Sequence, residues 1–446
     1  MTNLDAASGA APGAPAPGAP DAPGAPGAST TPAAPSALAE PTRRVRAGWI
    51  AAFATAWFGV WMAQLTPVQL LLPAQIDEQL HPEDWVDSVV AFGAISGVAA
   101  VATVIAYPLT GALSDRTTSR YGRRRPWILI GALVFAASLV ALGFQSEMWA
   151  IGAAWVAASV GFCIMTAALT ATISDQVPVN QRGFVSGWMS APQAVGIIVG
   201  LVLVTEFVTD RVLGYALLAV ILVVLAVPFL TRHDEPLNAV ERTRVTAKGI
   251  IAGFWISPRK HPDFGWTLLS RVLVSIGNAL GTSLLLYFLM FQLDDANAED
   301  DLILLTLIYM VFVILASLGL GRLSDRLGRR KAFVFLASGL QGVAALMLAI
   351  FPDLSVAMVA AGLLGLGYGC FLSVDQALAT QVLPDAAARG KDLGIMNIAS
   401  AVPQAIAPLI GAAAVLATGS FVLVFVLSAV FAFSGALAVA RVRSVR

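Results

Sequence analysis

A short charged segment between two long apolar runs most constrains how this chain can fold, because it occurs twice. The first copy runs from Gly111 to Gly131 as GALSDRTTSRYGRRRPWILIG, and the second begins at Gly321 as GRLSDRLGRRK. The first is longer by the four residues Thr117 to Arg120. So short a polar segment between apolar runs is expected to be a hinge between two membrane helices. Its recurrence at half-chain spacing predicts two homologous halves.

The apolar runs are long enough to cross a bilayer. Hydrophobic residues make up 58% of the 446 residues and charged residues only 12%, whereas an ordinary soluble protein has about 25% charged residues. Twelve runs come near or above the roughly 18 to 20 residues that a helix needs to cross about 30 Å of hydrocarbon. Helices are expected because a backbone in lipid has to satisfy its own hydrogen bonds. The predicted spans lie roughly at 47–72, 86–113, 126–145, 149–174, 184–206, 212–230, 265–291, 302–322, 332–351, 355–383, 392–416 and 419–440.

The charged residues divide between the two sides of the membrane. Arg43, Arg44 and Arg46 precede the first span, and nearly all other basic residues fall in loops on that same side, whereas the opposite loops are acidic. Basic loops are typically cytoplasmic, so both termini of this multi-pass protein are predicted to lie inside the plasma (inner) membrane. The predicted domains are a disordered Ala/Pro/Gly-rich tail at 1–42, a six-helix bundle at 43–231, a cytoplasmic connector at 232–264 and a second six-helix bundle at 265–446.

The doubled motif Gly-x-Leu-Ser-Asp-Arg, followed by Gly-Arg-Arg, resembles the signature loop of the major facilitator superfamily, which lies between helices 2 and 3 and again between 8 and 9. The longer first copy is similar to that of the sucrose and related glycoside symporters. The repeat continues with Pro192-Gln193 in span five and Pro403-Gln404 in span eleven. The resemblance implies an all-α polytopic fold of twelve transmembrane helices in two pseudo-symmetric bundles, with the solute held between them near the midplane.

The resemblance also implies a role for the charged residues of the two hinges. In the superfamily such residues close the cytoplasmic side when the protein opens outward, through carboxylate–arginine pairs and contacts with helix N-termini. The alternative is that they only fix the orientation of the chain in the membrane, and both roles are compatible. The predicted gating residues are Asp115, Arg116, Arg123 and Asp175 in the first half and Asp325, Arg326 and Arg329 in the second.

Polar and aromatic side chains recur on single faces of several spans. In span one, Trp57, Trp61 and Gln64 are spaced i, i+4, i+7 and therefore form one stripe. Aromatic faces beside neutral amides suit a sugar, which presents C–H faces and a ring of hydrogen-bonding hydroxyls. The same residues could instead hydrogen-bond neighbouring helices to one another. The predicted solute-binding residues are Trp57, Trp61, Gln64, Gln193, Asn278, Asn397 and Gln404.

Two ionisable residues lie deep in apolar runs. At about 1.5 Å per residue, Arg271 in span seven and Asp375 in span ten lie roughly 10 Å and 13 Å from the cytoplasmic ends. Similar depths allow an ion pair, and a charge inside the membrane predicts a function, here coupling to an ion. The alternative is a pair that only positions the two spans. The sucrose-type branch leads us to expect a carboxylate in span four, which has none between Glu147 and Asp175.

The sequence offers no set of residues for catalysis. All three histidines lie in loops, no Gly-x-x-x-x-Gly-Lys-Ser/Thr segment occurs, and Cys163 and Cys370 fall inside apolar runs. We therefore expect no enzyme activity, no cofactor and no metal. The balanced charge also gives no reason to expect a nucleic-acid partner.

The sequence favours a secondary active transporter that carries a small polar solute, a sugar or glycoside, by alternating access coupled to a cation gradient, with the proton as the favoured cation. Two alternatives remain: efflux of an amphipathic compound by proton antiport, and a solute sensor that does not transport. The expected partners are the solute, the coupling cation and the lipid bilayer, and the chain is expected to be monomeric.

The predicted topology can be tested by reporter fusions at the C-terminus. Because twelve spans place both ends of the chain on one side, a reporter that works only in the cytoplasm should be active there. An extracytoplasmic reporter at the same position should be silent. Activity of the extracytoplasmic reporter alone would contradict the twelve-span count.

Overall fold

The computed structural model is helical throughout the part of the chain that it describes, and no strand occurs there. It describes residues 41–80, 84–208, 210–232, 261–381 and 389–443, without the side chains of some residues inside helices. The predicted disordered tail and most of the predicted connector lie outside these residues, so the predicted domain boundaries stay predictions. The long helices are α1 Ala47–Thr66, α2 Val86–Ser114, α3 Arg125–Gly143, α4 Met148–Gln176, α5 Val179–Phe207, α6 Arg211–Leu230, α7 Pro262–Ser283, α8 Ala298–Leu327, α9 Arg330–Ile350, α10 Leu354–Gln381, α11 Arg389–Thr418 and α12 Val422–Ala440.

Two of these helices, α1 and α7, continue through a π-helical turn. The turn after α1 is Pro67–Leu71, and a short helix, Leu72–Leu80, follows it. The chain after α7 bends by 42° and passes through the π-helical turn Phe288–Gln292. Proline has no N–H to give to the regular ladder, which accounts for the irregular turn at Pro67. The equivalent helices of the two halves thus share the same local distortion.

Most of the helices are long and apolar enough to cross a membrane. Among the described residues, eight meet that criterion on their own, and α7 with its bent extension makes a ninth. In α5 and α11 the described residues give the shorter apolar segments Pro192–Phe207 and Val402–Thr418. The prediction of an all-helical polytopic membrane protein is confirmed.

The helices pack in the same pattern in both halves. In the first half α1 packs on α5 and α6, α3 on α4 and α6, and α2 on α4. In the second half α7 packs on α11 and α12, α9 on α10 and α12, and α8 on α10. Adding six to each helix number converts the first set of pairs into the second. The halves meet where α2 packs on α11 and α5 packs on α8, and the same operation exchanges these two contacts.

Glycines allow close helix contacts within each half. A Cβ on Gly131 of α3 would lie 2.4 Å from the backbone nitrogen of Met165, and one on Gly161 of α4 would lie 2.5 Å from that of Phe135. The equivalent pair in the second half has the same arrangement, with Gly367 of α10 against the backbone of Ala337 in α9. Small residues let helix backbones approach where lipid provides no hydrophobic drive for association.

Gly161→Ala should therefore destabilise the first half. The added methyl group has to push two backbones apart, and overpacking of this kind costs about 1–3 kcal/mol. Gly339→Ala in α9 is the matched control, since a Cβ there meets nothing within 4 Å. Thermal unfolding in detergent should show a lower midpoint for Gly161→Ala only. Equal midpoints for the two variants would contradict the close approach of α3 and α4.

Candidate functional site

A cavity between the two halves forms the candidate site. It contains about 880 Å³ of space outside protein atoms, its opening included. Residues of α1 and its π-helical turn, α5, α7, α8, α10 and α11 line it, so both halves contribute. Its described polar lining consists of neutral side chains: Gln69, Gln193, Asn278, Thr282, Ser283, Thr306, Tyr309, Tyr368 and Gln404.

Hydrogen bonds and ring contacts join the polar groups of the second half into one layer of the cavity wall. The hydroxyl of Tyr309 donates to Oδ1 of Asn278 over 3.1 Å. The ring of Tyr309 stacks on that of Tyr368 with 6.4 Å between centroids, and Tyr368 shares a hydrogen bond with Gln404. Each amide keeps further hydrogen-bonding capacity, so a solute in the cavity could bind to the same groups.

The structure brings Arg271 and Asp375 together as a buried ion pair. Oδ2 of Asp375 accepts from Nη2 and Nε of Arg271, each over 2.5 Å. The two residues are only 3% and 1% exposed. Charge-assisted hydrogen bonds hold the pair together. Loss of either charge would leave the other one uncompensated inside the bundle.

The predicted stripe on α1 lies beside the described cavity rather than in its lining. Trp57 packs on Trp61 at 5.8 Å between ring centroids, and Trp61 donates through Nε1 to the carbonyl oxygen of Met189 over 2.9 Å. Nε1 of Trp57 and Oε1 of Gln64 are buried without a hydrogen-bond partner in the part of the chain that the structure describes. The stripe reaches the cavity at Val68.

Of the seven predicted solute-binding residues, the structure therefore places Gln193, Asn278 and Gln404 in the cavity wall. The side chain of Asn397 lies outside the described residues. Sequence reasoning missed Tyr309 and Tyr368, which are isolated tyrosines in apolar runs. A signal did exist for Tyr368, because it lies seven residues before Asp375 and therefore on the same face of α10.

An aromatic cluster joins the two halves at the end of the protein that carries Trp85, here called the Trp85 end. The ring of Trp85 stacks on Phe291 and on Phe421, each with 5.3 Å between centroids. Beside it, the Tyr287 hydroxyl donates to the carbonyl oxygen of Pro73 over 3.0 Å and thereby joins the two halves. At this end α2 packs closely on α11, because Gly93 lies against Ala412.

Ion pairs organise the opposite end, called the hinge end after the first hinge between α2 and α3. The guanidinium of Arg124 donates to Asp175 over 2.6 Å, to Asp115 over 2.5 Å and to the Ser114 hydroxyl over 2.6 Å. Arg123 forms a further ion pair with Asp175. Burial lowers the pKa of Arg124, but the carboxylates of Asp175 and Asp115 outweigh this, so its pKa is raised above its ordinary value.

The predicted gating residues are thus partly brought together. Asp115, Arg123 and Asp175 meet around Arg124, which the sequence did not single out from its neighbours in the arginine run. In the second hinge Arg326 and Arg329 are exposed. The side chain of Asp325 lies outside the described residues. Arg116 is half-buried and follows the end of α2. Gating by these residues stays a prediction.

Replacement of the buried arginine should cost more stability than replacement of its exposed partner. Arg124→Gln removes the cation from Asp115 and leaves Asp175 with Arg123 alone, and breaking a buried pair costs about 3–5 kcal/mol. Asp115→Asn removes a carboxylate whose side chain is 59% exposed, where a pair contributes about 1 kcal/mol or less. Thermal unfolding in detergent should rank the variants in this order. Equal losses would mean that the network does not depend on Arg124.

Comparison with known proteins agrees with this architecture. Residues 47–299 and 276–446 each match the model of the Major Facilitator Superfamily. The sucrose transport protein SUC4 of Arabidopsis thaliana is 36% identical over 93 residues, which is 21% of this chain and 16% of the relative. The sucrose transport protein SUT3 of Oryza sativa subsp. indica is 42% identical over 53 residues, 12% of this chain and 10% of the relative. These alignments span a small part of the relatives' own length.

Solved structures share the fold at low sequence identity. A crystal structure of the nucleoside transporter NupG in a mutant form has a TM-score of 0.68 at 14% identity, covering 88% of this chain and 98% of that one. A POT family transporter in complex with a thioalcohol-conjugated peptide has a TM-score of 0.65 at 12% identity, covering 87% and 93%. The chain belongs to the major facilitator superfamily and is a multi-pass membrane protein.

Proposed function

We propose that the protein carries a sugar or glycoside through the membrane by alternating access, coupled to a proton gradient. The observation that carries this proposal is the chemistry of the cavity between the halves. Its described lining has amides, hydroxyls and aromatic rings but no charged side chain. A neutral polyhydroxylated solute matches such a lining, because every hydroxyl can both donate and accept and the C–H faces can pack on Tyr309 or Tyr368.

Two further observations support this solute class. The sequence relatives are named sucrose transport proteins, although the aligned segments are short. In addition, Trp57 and Gln64 each keep a buried polar atom without a partner among the described residues. An unpaired buried polar atom is costly, so a bound solute or water that reaches this stripe of α1 would be stabilised there.

The proposed coupling site is the Arg271–Asp375 ion pair. It lies in α7 and α10, the same helices that give Asn278 and Tyr368 to the cavity. A carboxylate paired with a guanidinium holds its charge, whereas the same carboxylate unpaired in an apolar bundle favours the protonated form. Making and breaking the pair during the cycle would therefore switch the proton affinity of Asp375.

We place the protein in the plasma membrane, where it works as a monomer. In the proposed orientation its hinge end faces the cytoplasm. With the Trp85 end closed by its aromatic cluster, the structure would then correspond to a state facing the cytoplasm. This orientation rests on the basic loops of the sequence.

Solute counterflow in proteoliposomes tests the proposed function. Purified protein should exchange labelled sucrose or a glycoside for the same unlabelled solute, and an imposed pH gradient, acid outside, should drive accumulation. A nucleoside and a dipeptide serve as controls of similar size. Binding without exchange would indicate a sensor, and uptake of amphipathic compounds alone into inverted vesicles would indicate efflux. Either result would overturn the proposal.

Asp375→Asn should abolish accumulation against a gradient, because the amide cannot take part in a proton cycle, but it should leave exchange down a gradient, because the amide oxygen still accepts a hydrogen bond from Arg271. Arg271→Ala should impair both activities, because it leaves Asp375 without its cation. Counterflow and pH-driven uptake, measured on the same vesicles, separate these outcomes.

The double variant Arg271→Ala with Asp375→Ala provides the control for a purely structural pair. Removal of both charges leaves no buried ion, so the fold should recover. If this double variant still accumulates solute in response to a pH gradient, then Asp375 is not the coupling residue. The motive ion would then act elsewhere in the chain.

A further inference from the structure

The cavity layer and the ion pair keep the same spacing on two helices. Arg271 and Asn278 are seven residues apart on α7, and Tyr368 and Asp375 are seven residues apart on α10. Seven residues make nearly two helical turns, so both residues of each pair lie on one face, about 10 Å apart along the axis. Successive helices run in alternating directions, and α10 is the third helix after α7. The two helices therefore run in opposite directions. The ion pair lies on the hinge side, and the Asn278–Tyr368 layer lies two turns closer to the Trp85 end.

Tyr368 stands between the solute cavity and the ion pair. Its ring stacks on Tyr309 and on Phe371, at 6.4 Å and 6.2 Å between centroids and within 24° of parallel to each. Its phenol shares a hydrogen bond with Gln404 in the cavity wall and also interacts electrostatically with Arg271 and Asp375. The hydrogen bond to Gln404 is the contact that a solute in the cavity can compete for.

We infer that Tyr368 is a positioning residue that separates the solute cavity from the Arg271–Asp375 ion pair and links occupancy of the cavity to hydration of the pair. A solute hydroxyl that binds Gln404 replaces the phenol as its partner. The released phenol no longer holds the cavity wall in place, and water reaches Asp375. The attraction between opposite charges falls as the local dielectric constant rises, so the hydrated pair separates more easily.

This inference deepens the proposed function, which supplies the solute class and the ion, but its test needs neither. The measurement is the rate at which a water-soluble carbodiimide and an added amine modify Asp375 in the full-length purified protein. Mass spectrometry of the peptide that contains Asp375 gives this rate, and Asp375→Asn provides the blank. Tyr368→Phe keeps the ring and removes only the hydroxyl. Tyr309→Phe is the matched control, because it removes a phenol from the same cavity that bonds to Asn278 instead.

Tyr368→Phe should raise the modification rate about fivefold, the population change that corresponds to about 1 kcal/mol for one neutral hydrogen bond. Tyr309→Phe should leave the rate unchanged. Gln404→Leu removes the same hydrogen bond from the other side, so it should reproduce the rise even if Tyr368→Phe fails to fold.

The inference is overturned if Tyr368→Phe and Gln404→Leu are modified at the rate of the unaltered protein, or if Tyr309→Phe raises the rate equally. A failure of the proposed function has a different signature. In that case the unaltered protein does not exchange or accumulate sugars in proteoliposomes, while the order of the modification rates still reports on Tyr368.

Discussion

A peptide group in hydrocarbon has no water to bind, so each stretch of backbone has to supply its own hydrogen bonds. Helices meet this requirement, and the side chains are then left to bring the helices together. Where lipid surrounds the protein, association depends on close contact, which Gly131 and Gly161 provide in the first half. The same environment forces charges into pairs, as with Arg271 and Asp375. Helix packing and ion pairing therefore answer the same constraint.

The sequence predicts two kinds of feature in this structure: those that repeat along the chain, and those whose absence would leave a charge unpaired in the membrane at a high free energy. The doubled hinge predicts two homologous halves, and helices of such halves pack alike because a duplicated chain buries equivalent faces. The Arg271–Asp375 contact is predictable because two isolated charges at similar depth have few other ways to be neutralised. In both cases the alternatives, which are helices with unburied equivalent faces or unpaired charges in the bundle, have a high free energy. The sequence pattern therefore indicates one arrangement.

Contacts among several equivalent candidates are not predictable in this way. Nothing in the arginine run of the first hinge distinguishes Arg124 from Arg123. Arg124 is the centre of the network because the ends of α2 and α4 pack beside it and bring Asp115 and Asp175 into contact with its guanidinium. Tyr309 carries no periodic signal, because a tyrosine in an apolar run fits lipid, core and cavity equally well, and Tyr368 has only its seven-residue spacing from Asp375. The stripe that begins at Trp57 is correctly aligned, yet it enters the cavity lining only at Val68.

The two halves share one packing pattern and differ in where they hold their charges. In the first half the buried Arg124 binds Asp115 and Asp175 at the ends of α2 and α4, whereas in the second half Arg271 binds Asp375 inside the bundle. The duplicated scaffold thus holds a buried arginine at two different places, one at the ends of helices and one inside the bundle, and removing either arginine leaves carboxylates without that partner.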